Sequence, residues 1–209
     1  MEEQAKGPVL NPLEMAMPSA AAVEARLRAI PGYAAAFLSA FPGKPLSFDN
    51  LARAIGAFER KLVTPSRFDR FLEGERSALT VLEQQGYAEF ERIGCITCHN
   101  GPYIGGRLFH RLGTGKPWPD DADPGRFAVT HQRADRRVFK VPSLRNVART
   151  GPYFHNGRVP SLDEAVHLMA EHQLQVDLTD AQGRLLVAFL RSLTGPIPNE
   201  YVRRPQLPE

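Results

Sequence analysis

Apolar residues recur at helical spacing toward both ends of the chain and lose that spacing in its middle. Ser19 precedes AAVEARLRAI, a run that stops at Pro31, which predicts a capped helix. A short helix is expected over 32–41, closed by Pro42 and Gly43. Phe48, Leu51, Ile55, Phe58 and Leu62 share one face behind Ser47 as N-cap. Thr64-Pro65-Ser66 then interrupts, and a linker or hinge is expected there. Residues 77–93 form another helical pattern, with Leu79, Leu82, Tyr87 and Phe90 as its packing face. Two more helices follow at 161–173 and 179–193, the last opening on the capping pattern TDAQ.

Between 94 and 160 Gly, Pro, Asp and Arg dominate, over a length no ordinary loop reaches. Something besides a local core must organise it. Residues 127–130 and 137–141 could pair as a small ribbon, but nothing alternates like a multi-stranded sheet. The class is mainly α.

Composition narrows the function. Net charge is +3 and thinly spread, which gives nucleic-acid binding no support. The longest apolar stretch, 33–41, is too short to span a membrane. The N-terminus, MEEQAKGPVL, shows no apolar signal region. Only two cysteines occur, so no disulfide framework exists.

Those two cysteines carry the chemistry. Cys95-Ile96-Thr97-Cys98-His99 is a C-x-x-C-H sequence, the attachment pattern of c-type haem. Two thiols one turn apart can form thioethers to the two vinyl groups of one porphyrin. The next imidazole then ligates the iron, and the porphyrin supplies the apolar mass that the middle of the chain lacks. Structural zinc needs about four ligands, and no second cysteine pair is present. The sixth iron position needs a donor, and Met169 is the only methionine after the motif. It shares a stripe with Leu162, Ala165, Val166 and Ala170, where a core methionine would also sit, and His172 is its rival.

The sequence resembles the bacterial di-haem cytochrome c peroxidases, with the MauG-like proteins as near relatives. The carrying segments are NPLEMAMP at 11–18, FERKLVTPSRFDRFL at 58–72, GCITCHNGP at 94–102 and GRFAVT at 125–130. VFKVPSLRNVARTGPYFHNGRVPSLDEAV at 138–166 and VAFLRSLTG at 187–195 complete them. The resemblance implies a cytochrome c-type haem domain at 65–209, preceded at 1–64 by the remaining helices of a truncated first cytochrome c domain. Cys95, Cys98 and His99 match the attachment site of the high-potential, electron-accepting haem, and Met169 matches its distal ligand; in MauG a tyrosine takes that place. Thr150 and Pro152 match positions whose backbone carbonyls bind calcium between the two domains. The ion's side-chain ligand comes from the other half, so the site would be incomplete here.

Gln4 and Glu14 match residues on the distal side of the family's peroxidatic haem. Glu14 would act as acid/base toward bound peroxide and Gln4 would hold it by a hydrogen bond. On local pattern alone, Gln4 is a frayed terminal residue and Glu14 a surface carboxylate. The implied activity is reduction of hydrogen peroxide to water, with electrons from a small periplasmic cytochrome c or cupredoxin. A homodimer is implied at family level only. The alternatives are a stand-alone monohaem electron carrier and a MauG-like protein-oxidising enzyme. Haem c implies the periplasm, so a native start upstream of Met1 is expected, with a signal peptide and a second attachment motif.

Two clusters remain. Asp120, Asp121 and Asp123 have the wrong glycine placement for a calcium loop and are expected to form a solvated acidic turn. Among His131, Arg133, Arg136, Arg137, Lys140, Arg145 and Arg149, one or two are expected to anchor haem propionates.

Overall fold

The computed structural model describes residues 1–44, 46–119 and 122–207. It divides into two compact units, 1–63 with 197–209, and 64–196. The division differs from the expected one at the C-terminus, because the tail from Ile197 returns to the first unit. There Tyr201 stacks on Phe58 with ring centroids 5.0 Å apart, and its hydroxyl donates to the Phe58 carbonyl at 3.0 Å.

The first unit packs four helices: α1 (Glu2–Leu10), α2 (Ala20–Arg28), α3 (Pro31–Ala40) and α4 (Phe48–Glu59). Ser19 and Ser47 cap α2 and α4 through hydroxyls that accept from Ala22 and Asn50 amides. Pro31 opens α3 at a position where a missing N–H costs nothing. Glu24 accepts the Phe48 amide at 2.9 Å and Arg28 donates to the Leu46 carbonyl at 2.8 Å, tying α2 to the start of α4. Helix α1 was not expected. Gly7 and Pro8 lower its helical tendency, and the burial of Ala5 and Val9 supplies what propensity lacks.

The second unit contains α5 (Arg67–Leu72), α6 (Val81–Ile93), β1 (Phe109–Arg111), α7 (Phe127–Thr130), β2 (Val138–Lys140), α8 (Leu162–Met169) and α9 (Asp180–Ser192). Its core forms where α6 crosses α9. Gly86 makes the approach close: a Cβ there would stand 2.0 Å from the Leu185 carbonyl oxygen. Phe189 is 0% exposed and sits among the rings of Phe68, Tyr87 and Phe90 at 5.1–5.2 Å. Such aromatic pairs add to the area they bury.

One expectation fails in this unit. The two-stranded ribbon is antiparallel β1 with β2, pairing Phe109 with Lys140, while 127–130 forms a helical turn. Thr64-Pro65-Ser66 lies at the unit boundary, where a linker or hinge was expected, and is held by hydrogen bonds. Ser66 is buried and forms a capping box with Asp69 at the start of α5. Asn146 donates to the Thr64 hydroxyl at 2.8 Å and accepts the Gly195 amide at 3.0 Å. In the acidic turn, Asp123 accepts the Gly125 amide at 2.7 Å, while Asp120 and Asp121 lie outside the described residues.

Candidate functional site

Helix α6 ends on Gly94, whose φ of 101° suits glycine and reverses the chain straight into the cysteines. Cys95–Thr97 is a 3-10 turn, and the amides of Cys98 and His99 donate to the Cys95 carbonyl at 3.3 and 3.0 Å. Both thiols therefore issue from one tight turn, and both are free. Burial pushes the Cys95 thiol up to about 11 and raises Cys98 as well. The Asn100 side chain donates to the Ile96 and Thr97 carbonyls and closes the turn behind them.

His99 follows with its Nδ1 enclosed and without a hydrogen bond of normal geometry. Burial lowers its pKa, opposed by the backbone of Pro142 and Ile104, so the ring stays neutral, the form that ligates metals. Gly105 makes this packing possible. At φ 115°, a Cβ there would meet the Pro142 carbonyl oxygen at 2.2 Å and His99 Nδ1 at 3.1 Å. The loop beneath is pinned by Arg145, which donates to the Pro102 carbonyl at 2.7 Å and to both Asp69 oxygens at 2.9 and 2.6 Å.

Cys95, Cys98 and His99 line one wall of a cavity of about 520 Å³. Met169, the last residue of α8, lines it too, together with Leu162, Ala165 and Val166 from the same helix. Phe90, Leu186 and Leu190 connect this cavity to the α6–α9 core. His172 is buried outside it, with Nδ1 3.2 Å from the Lys116 carbonyl and its ring edge-on to Trp118. The structure thus separates the two rival donors.

The donor set suits a haem. The cavity is mostly apolar and lies within the roughly 300–1,000 Å³ of ligand sites. Among the described residues, no cluster of three or more His, Cys, Asp or Glu could hold a bare ion. A group that brings its own equatorial ligands needs only two axial donors and two points of attachment. Cys95 and Cys98 would hold it by thioethers, and His99 and Met169 would supply its ligands.

Other expected residues lie elsewhere. Gln4 on α1 and Glu14 on the turn after it are both exposed, and Glu14 accepts from Asn11 at 2.8 Å; neither lines this cavity. Thr150 and Pro152 line its edge. Of the basic cluster only Lys140 does so, because Arg145 is spent on Asp69 and Arg137 donates to the Trp118 carbonyl. His110, Arg111 and His155 line the cavity and were missed. His110 and Arg111 lie on β1, and His155 stacks on Phe139 of β2 with ring centroids 4.4 Å apart, placements that only the ribbon's true pairing reveals.

Comparison with known proteins identifies the family. A family model described as di-haem cytochrome c peroxidase matches residues 1–77. The cytochrome c551 peroxidase of Pseudomonas aeruginosa is 46% identical over 214 residues, covering 99% of this chain and 61% of its own length. That of Nitrosomonas europaea is 42% identical over 202 residues, covering 95% and 60%. The chain therefore spans about 60% of these relatives' length. A crystal structure of a MauG-like protein associated with microbial copper homeostasis matches with TM-score 0.78 at 30% identity, covering 93% of this chain and 68% of that one. By sequence and by fold, the chain belongs to the di-haem cytochrome c peroxidase and MauG family.

Proposed function

We propose that this chain carries the electron-accepting haem c of a di-haem peroxidase and relays electrons toward a second, peroxide-reducing haem. One observation carries this: Cys95, Cys98, His99 and Met169 line a single apolar cavity. When bound, the haem supplies an iron that exchanges one electron at a time. His99 and Met169 would both ligate the iron, which suits a centre that passes electrons without binding peroxide. The apolar walls from α8 and α9 keep water away and favour a high potential.

Reduction of hydrogen peroxide to water takes two electrons and two protons, and belongs to the other haem. There Glu14 would move the proton between the peroxide oxygens and Gln4 would hold the substrate, in the longer protein that the relatives represent. A small periplasmic cytochrome c or cupredoxin would supply the electrons. Among the described residues no helix is long and apolar enough to cross a membrane.

The test is spectroscopic. Made in a host that matures haem c, the chain should bind one low-spin haem with the near-infrared band of methionine-ligated ferric iron. Met169→Ala should abolish that band and admit cyanide. An unchanged spectrum in Met169→Ala would remove the basis of the assignment, and so would robust peroxide turnover by this chain alone.

A further inference from the structure

Met169 stands at an unusual point of the backbone. Helix α8 ends with it, and Ala170–Leu174 continues as a π turn. Such turns are intrinsically less stable than α-helix and persist where surrounding structure holds them. Here the holder is the segment 110–118. The amides of Gly115 and Lys116 both donate to the His172 carbonyl, at 3.0 and 2.9 Å. His172 answers with Nδ1 3.2 Å from the Lys116 carbonyl, which can only accept, so that nitrogen carries the proton. Gln173 accepts the Gly113 amide at 3.1 Å through Oε1. Its Nε2 lies 2.7 Å from the Thr114 hydroxyl and 3.0 Å from the Arg111 carbonyl at the end of β1. The Gln175 side chain donates to the Gly115 carbonyl, and Lys116 pairs with Glu171.

Trp118 completes the arrangement. It is 6% exposed, its ring lies edge-on to His172 at 5.0 Å, and it meets Phe154, a wall of the cavity, at 4.5 Å. Residues 113–118 do not line the cavity and neither does His172, whereas His110, Arg111 and Leu112 before them and Gln173 of the π turn do. The hydrogen bonds of 113–118 therefore go to the turn that carries Met169 and not to a bound group.

We propose that Trp118, His172 and Gln173 are positioning residues that clamp the π turn and hold Met169 against the iron of a bound haem. The clamp rests on Met169 being that haem's ligand and adds a purpose to it. An external molecule reaches the iron only while Met169 is withdrawn. Its apparent affinity scales with the withdrawn fraction. A stiff turn keeps that fraction small and keeps peroxide away from a centre meant only to pass electrons.

Cyanide titration of the haem-loaded ferric chain tests this directly. Losing one hydrogen-bonded anchor should raise cyanide affinity roughly tenfold in His172→Ala and in Gln173→Ala. The methionine band should persist without cyanide in both. His172→Asn, which keeps an N–H near the place of Nδ1, should restore affinity close to that of the parent chain. Trp118→Phe keeps an aromatic ring and serves where an alanine variant folds poorly; it should fall between the two. Phe71→Leu, a core change away from the cavity, should lower stability and leave cyanide affinity unmoved. Affinity unmoved in the His172 and Gln173 variants, with the band intact, overturns the clamp alone. A parent chain without the band, and indifferent to Met169→Ala, overturns the ligand assignment beneath it.

Discussion

Replacing Gly86 by alanine sets two effects of one methyl group against each other. In a helix interior alanine is favoured over glycine by about 1 kcal/mol. At this position the new Cβ would stand 2.0 Å from the Leu185 carbonyl oxygen and 2.9 Å from Phe189 Cβ. Carbon and oxygen settle at roughly 3.3 Å even in close contacts, so α6 and α9 must part by about 1 Å. The obstacle is backbone, and no rotamer change relieves it. A gap of that size forfeits roughly a quarter to a half of each dispersion contact it opens, which here includes those of Phe189, Leu186 and Leu190. Overpacking of this kind costs about 3 kcal/mol at the upper end, leaving a net loss near 2 kcal/mol after the propensity gain. For a unit of this size that is a fall in Tm of about 8 °C. Trp118, the only tryptophan, lies in the same unit and reports its unfolding by fluorescence. Gly183→Ala is the control. Its Cβ would meet His167 Nε2 at 2.4 Å, but that is the tip of a side chain that can turn aside. Its cost should stay below about 1 kcal/mol. A Gly86→Ala chain as stable as its parent would show that the helices do not cross so closely.

Three further outcomes follow from the site and its supports. Asp69→Asn should destabilise by about 2 kcal/mol at neutral pH, because Arg145 loses a bidentate, half-buried partner. The Arg145 guanidinium holds the Asp69 carboxyl well below the usual carboxylate range. A depressed folded pKa gives stability that is full above the unfolded value of about 3.9 and is lost as pH falls below it. Guanidinium midpoints of parent and variant should therefore draw together as pH falls from about 5 toward the depressed folded value, and a constant gap would refute the pairing. Gly105→Ala combines a φ of 115° with contact on His99 and Pro142; it should lower the haem-to-protein ratio, measured by the Soret band against total protein, more than Gly101→Ala, whose nearest neighbour is a movable arginine. Phe189→Ala should cost about 3–5 kcal/mol in guanidinium unfolding, with an unchanged m-value.

Helix starts were legible wherever the capping residue is local. Ser19, Ser47, Ser161 and Thr179 each accept an amide from the first turn of the helix they precede. Helix α5 carries the same signal in Ser66 and Asp69, hidden by the proline before it. The ribbon was not legible because its strands, 109–111 and 138–140, are far apart in sequence and only three residues long each. The attachment turn was legible because its chemistry is contiguous. The choice between Met169 and His172 was not. Three residues apart on an α-helix, they share a face. The π turn carries more residues per revolution and turns His172 away from the cavity that Met169 lines, a change that periodicity cannot foresee.

The Asn146 bridge between Thr64 and Gly195 has a mechanical consequence. It brings the entry and the exit of the second unit together, while the tail clasps Phe58 of the first unit through Tyr201. The second unit is thus a closed loop inserted into the first. Tension applied between the two chain ends would load the Tyr201 clasp and the four-helix unit. The cavity-bearing unit would stay slack until that clasp had given way.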